Sequence, residues 1–302
     1  MEIADRIIVT GASGFVGRAL AAALGRPFER LPFGAEDWRA RLEAQDFRSA
    51  VVFHLAARVH RVGEAGDAAF ERDNVAKSRE LALRAAASGA RRLVFLSSVK
   101  VNGEETHGQP FRREDAPDPR DAYARSKWAA EQALAAVAAQ GALEVVVVRS
   151  PLVYGPGVGA NLRALLRLAD SPWPLPFGSI ANRRSFVHVA DLARLLIACA
   201  VAPGARGRTY LAANPRSTPS TPQVVASRRA ALGRPARLFS APPALLEAAA
   251  AAVGQGERIR RLTRSLEVDA SPTEAELGWR ADVLIEPAVR EMVAAYRTEA
   301  GA

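Results

Sequence analysis

The sequence predicts an α/β chain, a doubly wound parallel sheet followed by a smaller C-terminal lobe. Three observations predict it. A buried-strand run, Arg6-Ile7-Ile8-Val9-Thr10, leads straight into a glycine-rich turn and then a helix. Strand-like and helical runs alternate to about residue 150, as expected where helices cross between parallel strands. The 302 residues suffice to bury a large core and to add a second lobe.

The turn after the first strand reads Gly11-Ala-Ser13-Gly14-Phe15-Val16-Gly17, and Arg18–Leu24 continues as helix, closed by Gly25. Glycines there let backbone approach a pyrophosphate, and a helix N-terminus offers free N–H groups and the positive end of its dipole. The spacing is G-x-x-G-x-x-G. A strand at Phe28–Leu31 ends in Pro32-Phe33-Gly34, and Val51–His54 reads as the next strand. Leu93–Ser97 and Val145–Arg149 are buried strands of the same sheet. The Pro/Gly-rich stretch Pro151–Gly159 then leaves the core.

Tyr123-Ala-Arg-Ser-Lys127 carries the chemistry. Only three of the 41 basic residues are lysines (Lys77, Lys100 and Lys127), and there are four tyrosines. On a helix, i and i+4 share a face, so an ammonium stands one turn from a phenol. Such an ammonium is expected to lower the phenol pKa and fit the tyrosine for acid/base work.

Composition narrows the function classes. One cysteine, Cys199, excludes an internal disulfide and reads as core packing in a reducing compartment. The four histidines show no metal-ligand spacing, so no metal is expected, and His54 and His188 read as structural. A net charge of +9 raises nucleic acid as a partner, but the arginines are scattered, no basic run exceeds two neighbours, and aromatics are only 6%. An anionic small substrate, or simply an arginine-biased composition, explains the charge as well. No leader segment is evident and no apolar run reaches the roughly 18 residues of a membrane span, so a cytoplasmic protein is expected.

Further segments fall in a recognisable order. His54-Leu55-Ala56-Ala57 closes a strand, Asn74 opens a long helix, and Ser98 stands five residues before Gly103. Leu152-Val-Tyr-Gly-Pro156 and Arg184-Ser-Phe-Val-His188-Val-Ala-Asp191 follow. With these segments, the glycine turn and the Tyr/Lys pair, the chain resembles the extended short-chain dehydrogenase/reductases, the NAD-dependent epimerase/dehydratase family, over nearly its whole length. The resemblance implies a Rossmann-type domain at 1–155, joined again by 186–213, and a substrate-binding lobe from 156–185 and 214–302. It implies NAD or NADP on Gly11, Ser13, Gly14, Phe15, Val16, Gly17, Leu55, Ala56, Ala57, Asn74 and Ser97, with Tyr123 and Lys127. Asp37 and Trp38 would touch adenine. Ser98, Tyr123 and Lys127 would be catalytic. A nucleoside-diphosphate sugar would meet Ser98, Lys100, Asn161, Leu162, Arg184 and Arg261, with Arg261 open to a second reading as a solvated surface arginine. A homodimer through the helices at 74–87 and 123–139 is a further implication.

Departures from the family pattern bear on the reaction. Val99 and Lys100 stand where sugar dehydratases carry an acid pair, which argues against dehydration. No aspartate caps the strand ending at Leu31, so the 2′-phosphate of NADP is not excluded, and Arg30 is available to bind it. The stretches 95–104, 150–157 and 265–269 resemble a bacterial surface-polysaccharide branch holding UDP-glucose 4-epimerase-like proteins and reductases of UDP-4-keto-6-deoxy-N-acetylglucosamine. The expected activity is oxidoreduction at sugar C4, with reduction of a UDP-4-keto-6-deoxy-N-acetylhexosamine ahead of 4-epimerisation of UDP-glucose or UDP-N-acetylglucosamine. A non-catalytic NAD(P)-binding scaffold or sensor is the alternative from another class.

Overall fold

Alternating apolar residues dictate a sheet covered on both faces. The structure is a computed structural model that describes residues 4–59 and 66–300, leaving out the side chains of residues 160, 161, 299 and 300. The chain runs β1 (Ile7–Thr10), α1 (Phe15–Leu24), β2 (Glu29–Leu31), α2 (Trp38–Ala44), β3 (Val51–His54) and α3 (Asp67–Phe70). A π-helical turn, Glu71–Ala76, joins α3 to α4 (Lys77–Ala87). Then come β4 (Arg92–Ser98), α5 (Ala122–Ala138), β5 (Glu144–Ser150), β6 (Leu152–Tyr154) and α6 (Ala160–Ala169). The remainder is β7 (Phe186–His188), α7 (Val189–Val201), β8 (Thr209–Leu211), α8 (Thr221–Ala231), α9 (Pro243–Ala252), α10 (Gly256–Thr263), α11 (Ser271–Leu277) and α12 (Ile285–Ala300).

Six strands form one parallel sheet in the order β2-β1-β3-β4-β5-β8. Ile7, Val9, Val51, Phe53, Val94, Val146 and Val148 point to one face, where Leu20 of α1 and Leu192, Leu195 and Leu196 of α7 cover them. Ile8, Val52, Leu93, Phe95, Val145 and Val147 point to the other, against Leu42, Leu81 and Leu134 of α2, α4 and α5. This period of two, buried on both sides, marks a parallel sheet between helix layers. Cys199 lies in the first of these layers, fully buried, and burial pushes its thiol up. The doubly wound fold read from the sequence is the fold observed.

β6 and β7 pair in parallel as a second, two-stranded sheet. Tyr154 and Phe186 face Leu162, Leu165 and Leu166 of α6, Val224 and Val225 of α8 and Val289 and Met292 of α12 in a separate core. The main chain thus leaves the large sheet after β5 and returns through α7, which packs beside α1.

From β1 the chain passes to β2 on one side and to β3 on the other, so the winding reverses between β1 and β3. Open α/β sheets bind ligands outside the carboxyl ends of strands at such a point. Here the two strand ends touch. Gly11 has φ +72°, and a Cβ on it would lie 2.7 Å from the Ala56 nitrogen. A Cβ on Gly17 would lie 2.2 Å from the Gly11 oxygen and 2.7 Å from Ala12 backbone. Gly25 also has positive φ, +58°, but open space around it.

These contacts separate two glycines that look alike in sequence. Gly17→Ala is expected to cost at least about 3 kcal/mol by overpacking against backbone that cannot yield. Gly25→Ala is expected to cost only the roughly 1–2 kcal/mol of a left-handed residue. Urea denaturation of the two variants checks the ranking; equal losses would mean that helix α1 can shift away from the turn.

Candidate active site

The glycine turn leaves an uncapped helix start at the switch point. Gly14, the N-cap of α1, is extended and supplies no side-chain acceptor, so the first-turn N–H groups of Phe15, Val16 and Gly17 lack a side-chain cap. Ser13 and Gly14 are exposed, and Arg18 Nη1 donates to the Ser13 carbonyl at 2.7 Å. Free N–H groups, a dipole end and no Cβ in the way fit a dinucleotide pyrophosphate.

Behind the turn runs a hydrogen-bond chain whose direction can be deduced. Ser78 Oγ donates its one proton to the Asn74 carbonyl at 2.6 Å, so it must accept from His54 Nε2 at 2.8 Å. His54 Nδ1 then accepts from Thr10 Oγ1 at 2.7 Å, and Thr10 Oγ1 accepts from the Ala56 N–H at 3.2 Å. Asn74 is buried. Its Oδ1 accepts from the Arg58 N–H at 2.7 Å, and its Nδ2 donates to Ser126 Oγ at 2.9 Å. Ser126 Oγ donates onward to the Tyr123 carbonyl at 2.8 Å. Asn74, expected to contact the cofactor, is a strut between the cradle and α5. His54 is neutral, with its pKa depressed to about 3 by burial and by the Lys127 charge.

Asp121 caps α5 by accepting from the Ala124 N–H at 2.7 Å, which fixes the start of the helix with Tyr123 in its first turn and Lys127 one turn further on. Ser98 caps the short turn Val99–Val101, and its side chain acts on the Tyr123 phenol to lower its pKa. The structure therefore brings Ser98, Tyr123 and Lys127 to the carboxyl end of β4. Lys127 is only 2% exposed, with Nζ 3.9 Å from the centroid of the Phe95 ring.

The electrostatics depart from the sequence expectation. Burial pushes the Tyr123 phenol up to about 12; Asp121 adds to the rise and the Ser98 hydrogen bond opposes it. The phenol is held protonated, where lowering by Lys127 was expected. Burial depresses Lys127 to about 7, against the pull of Glu131. Desolvation dominates at both groups, and at Lys127 it outweighs the i,i+4 attraction of Glu131.

Several expected contacts are engaged elsewhere. Ser97 Oγ donates to buried Glu131, so its hydroxyl is turned away from the cradle. Trp38 sits in the sheet core against Phe33, their rings 5.4 Å apart, because Trp38 and Leu42 are one turn apart on the buried face of α2. Asp37 pairs with Arg41 at 2.8 Å. Leu162 belongs to the lobe core, since Leu162, Leu165, Leu166 and Ala169 form the apolar stripe of α6. Asn161 lies in the first turn of α6, its side chain outside the described residues. Arg30 is exposed over the Phe28 ring, and Leu55, Ala56 and Ala57 are half-buried beside the cradle. Lys100 Nζ bridges Glu104, at 2.7 Å, and Asp121.

Arg184 and Arg261 do come together. Arg184 is 8% exposed; its Nη1 donates to the Arg264 carbonyl at 2.9 Å and its Nε has no partner. Burial lowers its pKa to about 10; Glu104 pulls it back up and the Arg261 charge presses it down. Arg261 Nε is likewise buried without a partner.

Sequence reasoning missed Glu131, Arg149 and Asn102. Arg149 Nη2 donates to Glu131 Oε2 at 2.6 Å, and Arg149 Nη1 donates to Asn102 Oδ1 at 3.1 Å. The signal for Glu131 was present, since Tyr123, Lys127 and Glu131 continue one i,i+4 row. A separate cavity of about 540 Å³ opens between α8 and α12, lined by Tyr154, Phe186, Arg228 and Ile285, and shares none of the candidate site residues. Among the described residues no group of three or more His, Cys, Asp or Glu could hold a metal, and no helix is long and apolar enough to cross a membrane.

Fold and site together define a dinucleotide-binding oxidoreductase scaffold with a Ser/Tyr/Lys constellation. The sequence matches the NAD dependent epimerase/dehydratase family over residues 7–213. The chain belongs to that family, and NAD or NADP is its cofactor class. It is 34% identical over 312 residues to a UDP-glucose 4-epimerase of Vibrio cholerae, covering 96% of this chain and 95% of that protein. It is 32% identical over 219 residues to a dTDP-4-dehydrorhamnose reductase of Mycobacterium tuberculosis, covering 70% of each. Among solved structures, MoeE5 in complex with UDP-glucose and NAD superposes with a TM-score of 0.75 at 25% identity, covering 98% of this chain and 99% of that one.

The neutral His54 has a pH signature. Its folded pKa lies below the 6.5 of the free imidazole, so the unfolded chain binds the extra proton as pH falls. Its contribution is fully present above pH 6.5 and is lost toward pH 3, on the order of 3–5 kcal/mol in all. His54→Gln is expected to be less stable at pH 7 by about 1–3 kcal/mol from the broken chain. The deficit should shrink as pH falls from 6.5 to 4. A deficit constant over that range, measured by chemical denaturation, would rule out the neutral buried imidazole.

Proposed function

We propose that the chain is a nucleotide-sugar oxidoreductase acting at C4 of the sugar, with reduction of a 4-keto nucleoside-diphosphate sugar as its reaction. The supporting observation is the buried, protonated phenol of Tyr123, whose raised pKa the nearby Ser98 side chain opposes, at the carboxyl end of β4. A carbonyl being reduced needs a proton at its oxygen, and a phenol held as an acid is the group to supply it. Ser98 Oγ would hold the same oxygen and orient it toward Tyr123. Lys127 would stabilise the phenolate left behind, and its Nζ, without a hydrogen bond among the described residues, would bond a ribose.

The residues present fit NAD(P): the α1 N-terminus would hold the pyrophosphate, Ala56 and Ala57 would flank the cradle, and exposed Arg30 is placed on β2 for a 2′-phosphate. When bound, the cofactor supplies the hydride. Arg184 and Arg261 would hold the diphosphate of the substrate, since two converging guanidinium groups with unpartnered nitrogens are relieved by a dianion. The Vibrio cholerae relative favours a second reading, 4-epimerisation, in which Tyr123 would first act as base.

Absorbance at 340 nm decides between the readings. With NADPH or NADH and a UDP-4-keto-6-deoxy-N-acetylhexosamine, stoichiometric loss of signal is expected. Tyr123→Phe should lose at least about 10²-fold in turnover while still binding cofactor. No loss of signal in protein that binds cofactor would turn the assignment to the epimerase, read by chromatography of UDP-glucose and UDP-N-acetylglucosamine. Unchanged turnover in Tyr123→Phe would remove Tyr123 from the mechanism.

The arginines make a separate claim. Arg184→Ala should raise the Kd for UDP by at least about 10-fold, in line with loss of a charge-assisted contact, and leave NAD(P) affinity unchanged. Calorimetry of both ligands checks this, and an unaltered UDP affinity would exclude Arg184 from the diphosphate site.

A further inference from the structure

Lys127 is a buried ammonium held without a close carboxylate. It is 2% exposed, lies over the Phe95 ring, and has no ion pair within 4 Å among the described residues. A buried charge is costly unless its surroundings offset it. One turn further along the same face of α5 lies Glu131, itself 5% exposed. Three groups immobilise its carboxylate. Arg149 Nε contacts both oxygens at 3.1 and 3.2 Å, Arg149 Nη2 donates at 2.6 Å, and Ser97 Oγ donates from β4. Arg149 in turn reaches Asn102, whose Nδ2 donates to the Arg112 carbonyl at 2.9 Å. Ser97 and Arg149 are register partners on β4 and β5, so the strand pairing itself aims both at α5.

Other charged groups around α5 have their own partners. Asp73 on the π-helical turn is held by Arg58, Arg72 and Lys77, and Asp67 on α3 by Arg125. Glu80 on α4 binds Arg39, and Asp121 and Glu104 bind Lys100. His54, facing Lys127 from β3, is neutral. Glu131 is the carboxylate that acts on the Lys127 charge, and it does so from a fixed position.

We propose that Glu131 is a positioning residue of this site: pinned by Arg149 and Ser97, its carboxylate is the counter-charge that keeps the Lys127 ammonium charged in its buried seat beside Tyr123. The proposal rests on the reading of Tyr123 and Lys127 as the acid/base pair, but it can be tested without turnover. The chain has only three lysines, so lysine labelled with ¹³C at Cε gives three resolvable signals, and the one missing in Lys127→Met is Lys127. Its titration is followed by NMR from pH 5 to 11 in the full-length, cofactor-free protein. The wild-type midpoint is expected near neutral pH. Glu131→Gln should move it at least one pH unit lower, and Glu131→Asp should restore most of the difference.

Glu131→Gln leaves Arg149 buried without its partner and could fail to fold. The double variant E131M/R149M replaces the ion pair by apolar side chains, an exchange that buried pairs often tolerate, and it should show a lowered midpoint, by less than Glu131→Gln because the Arg149 charge leaves with it. An unchanged midpoint in either folded variant overturns the proposal. A lowered midpoint upholds it even in a protein without turnover, so failure of the reaction assignment stays distinguishable. Where turnover is present, the alkaline limb of the kcat profile should move to lower pH by the same amount. A purely structural role would lower thermal stability and leave both titrations in place.

Discussion

The contact between the ends of β1 and β3 is the constraint from which the site is built. Gly11 lies so close to Ala56 that no side chain fits between the two strands, and Gly17 must then be bare for α1 to start against the same turn. The contact also sets the polar chain behind it. Thr10 and His54 are register partners at the ends of the touching strands, so their side chains meet, and each remaining donor finds its acceptor in sequence through Ser78, Asn74 and Ser126 to the backbone of Tyr123. A fully satisfied buried network is rigid, because any one displacement leaves an unpaired group at a cost of about 1–3 kcal/mol. The cradle and Tyr123 are therefore held in one frame.

Desolvation sets the charges in that frame. Tyr123 is pushed up and Lys127 down, shifts that both favour the neutral form, as burial always does. Under the proposed function this environment suits a proton donor in its resting state, and it requires counter-charges for the ammonium to survive. Glu131 could not provide one if it faced solvent, where screening would weaken it. Its placement in the interior, with Arg149 offsetting the cost of its own burial, makes a weak through-space attraction effective.

What was legible in the sequence was local. The glycine turn, the period-two strands and the Tyr123/Lys127 spacing each depend on a few adjacent residues, and they led to the fold and to the centre of the site. What escaped depends on register or on competition. Ser97 reads as a hydroxyl at a strand end, and only the pairing of β4 with β5 reveals that it stands beside Arg149, where both bond Glu131. Trp38 and Leu162 were read with the polar residue beside each, yet their own i,i+4 partners, Leu42 and Leu166, marked them as core. The direction of the Tyr123 shift could not be read from spacing, because it turns on how much water the fold excludes.

The two halves of the site differ in how complete they are without a ligand. In the cradle the buried side chains are paired and the open groups are backbone N–H groups at a helix start, which water can satisfy. In the lobe, Arg184 and Arg261 each bury an unpartnered nitrogen and press on one another. Under the proposed function that asymmetry has a physical consequence. Binding a dianion between the arginines would remove a repulsion and supply missing acceptors at once, so the gain belongs to the substrate and not to the cofactor. The cradle, already relaxed, can hold its ligand through shape and dipole alone, whereas affinity in the lobe comes from charge the fold has left uncompensated.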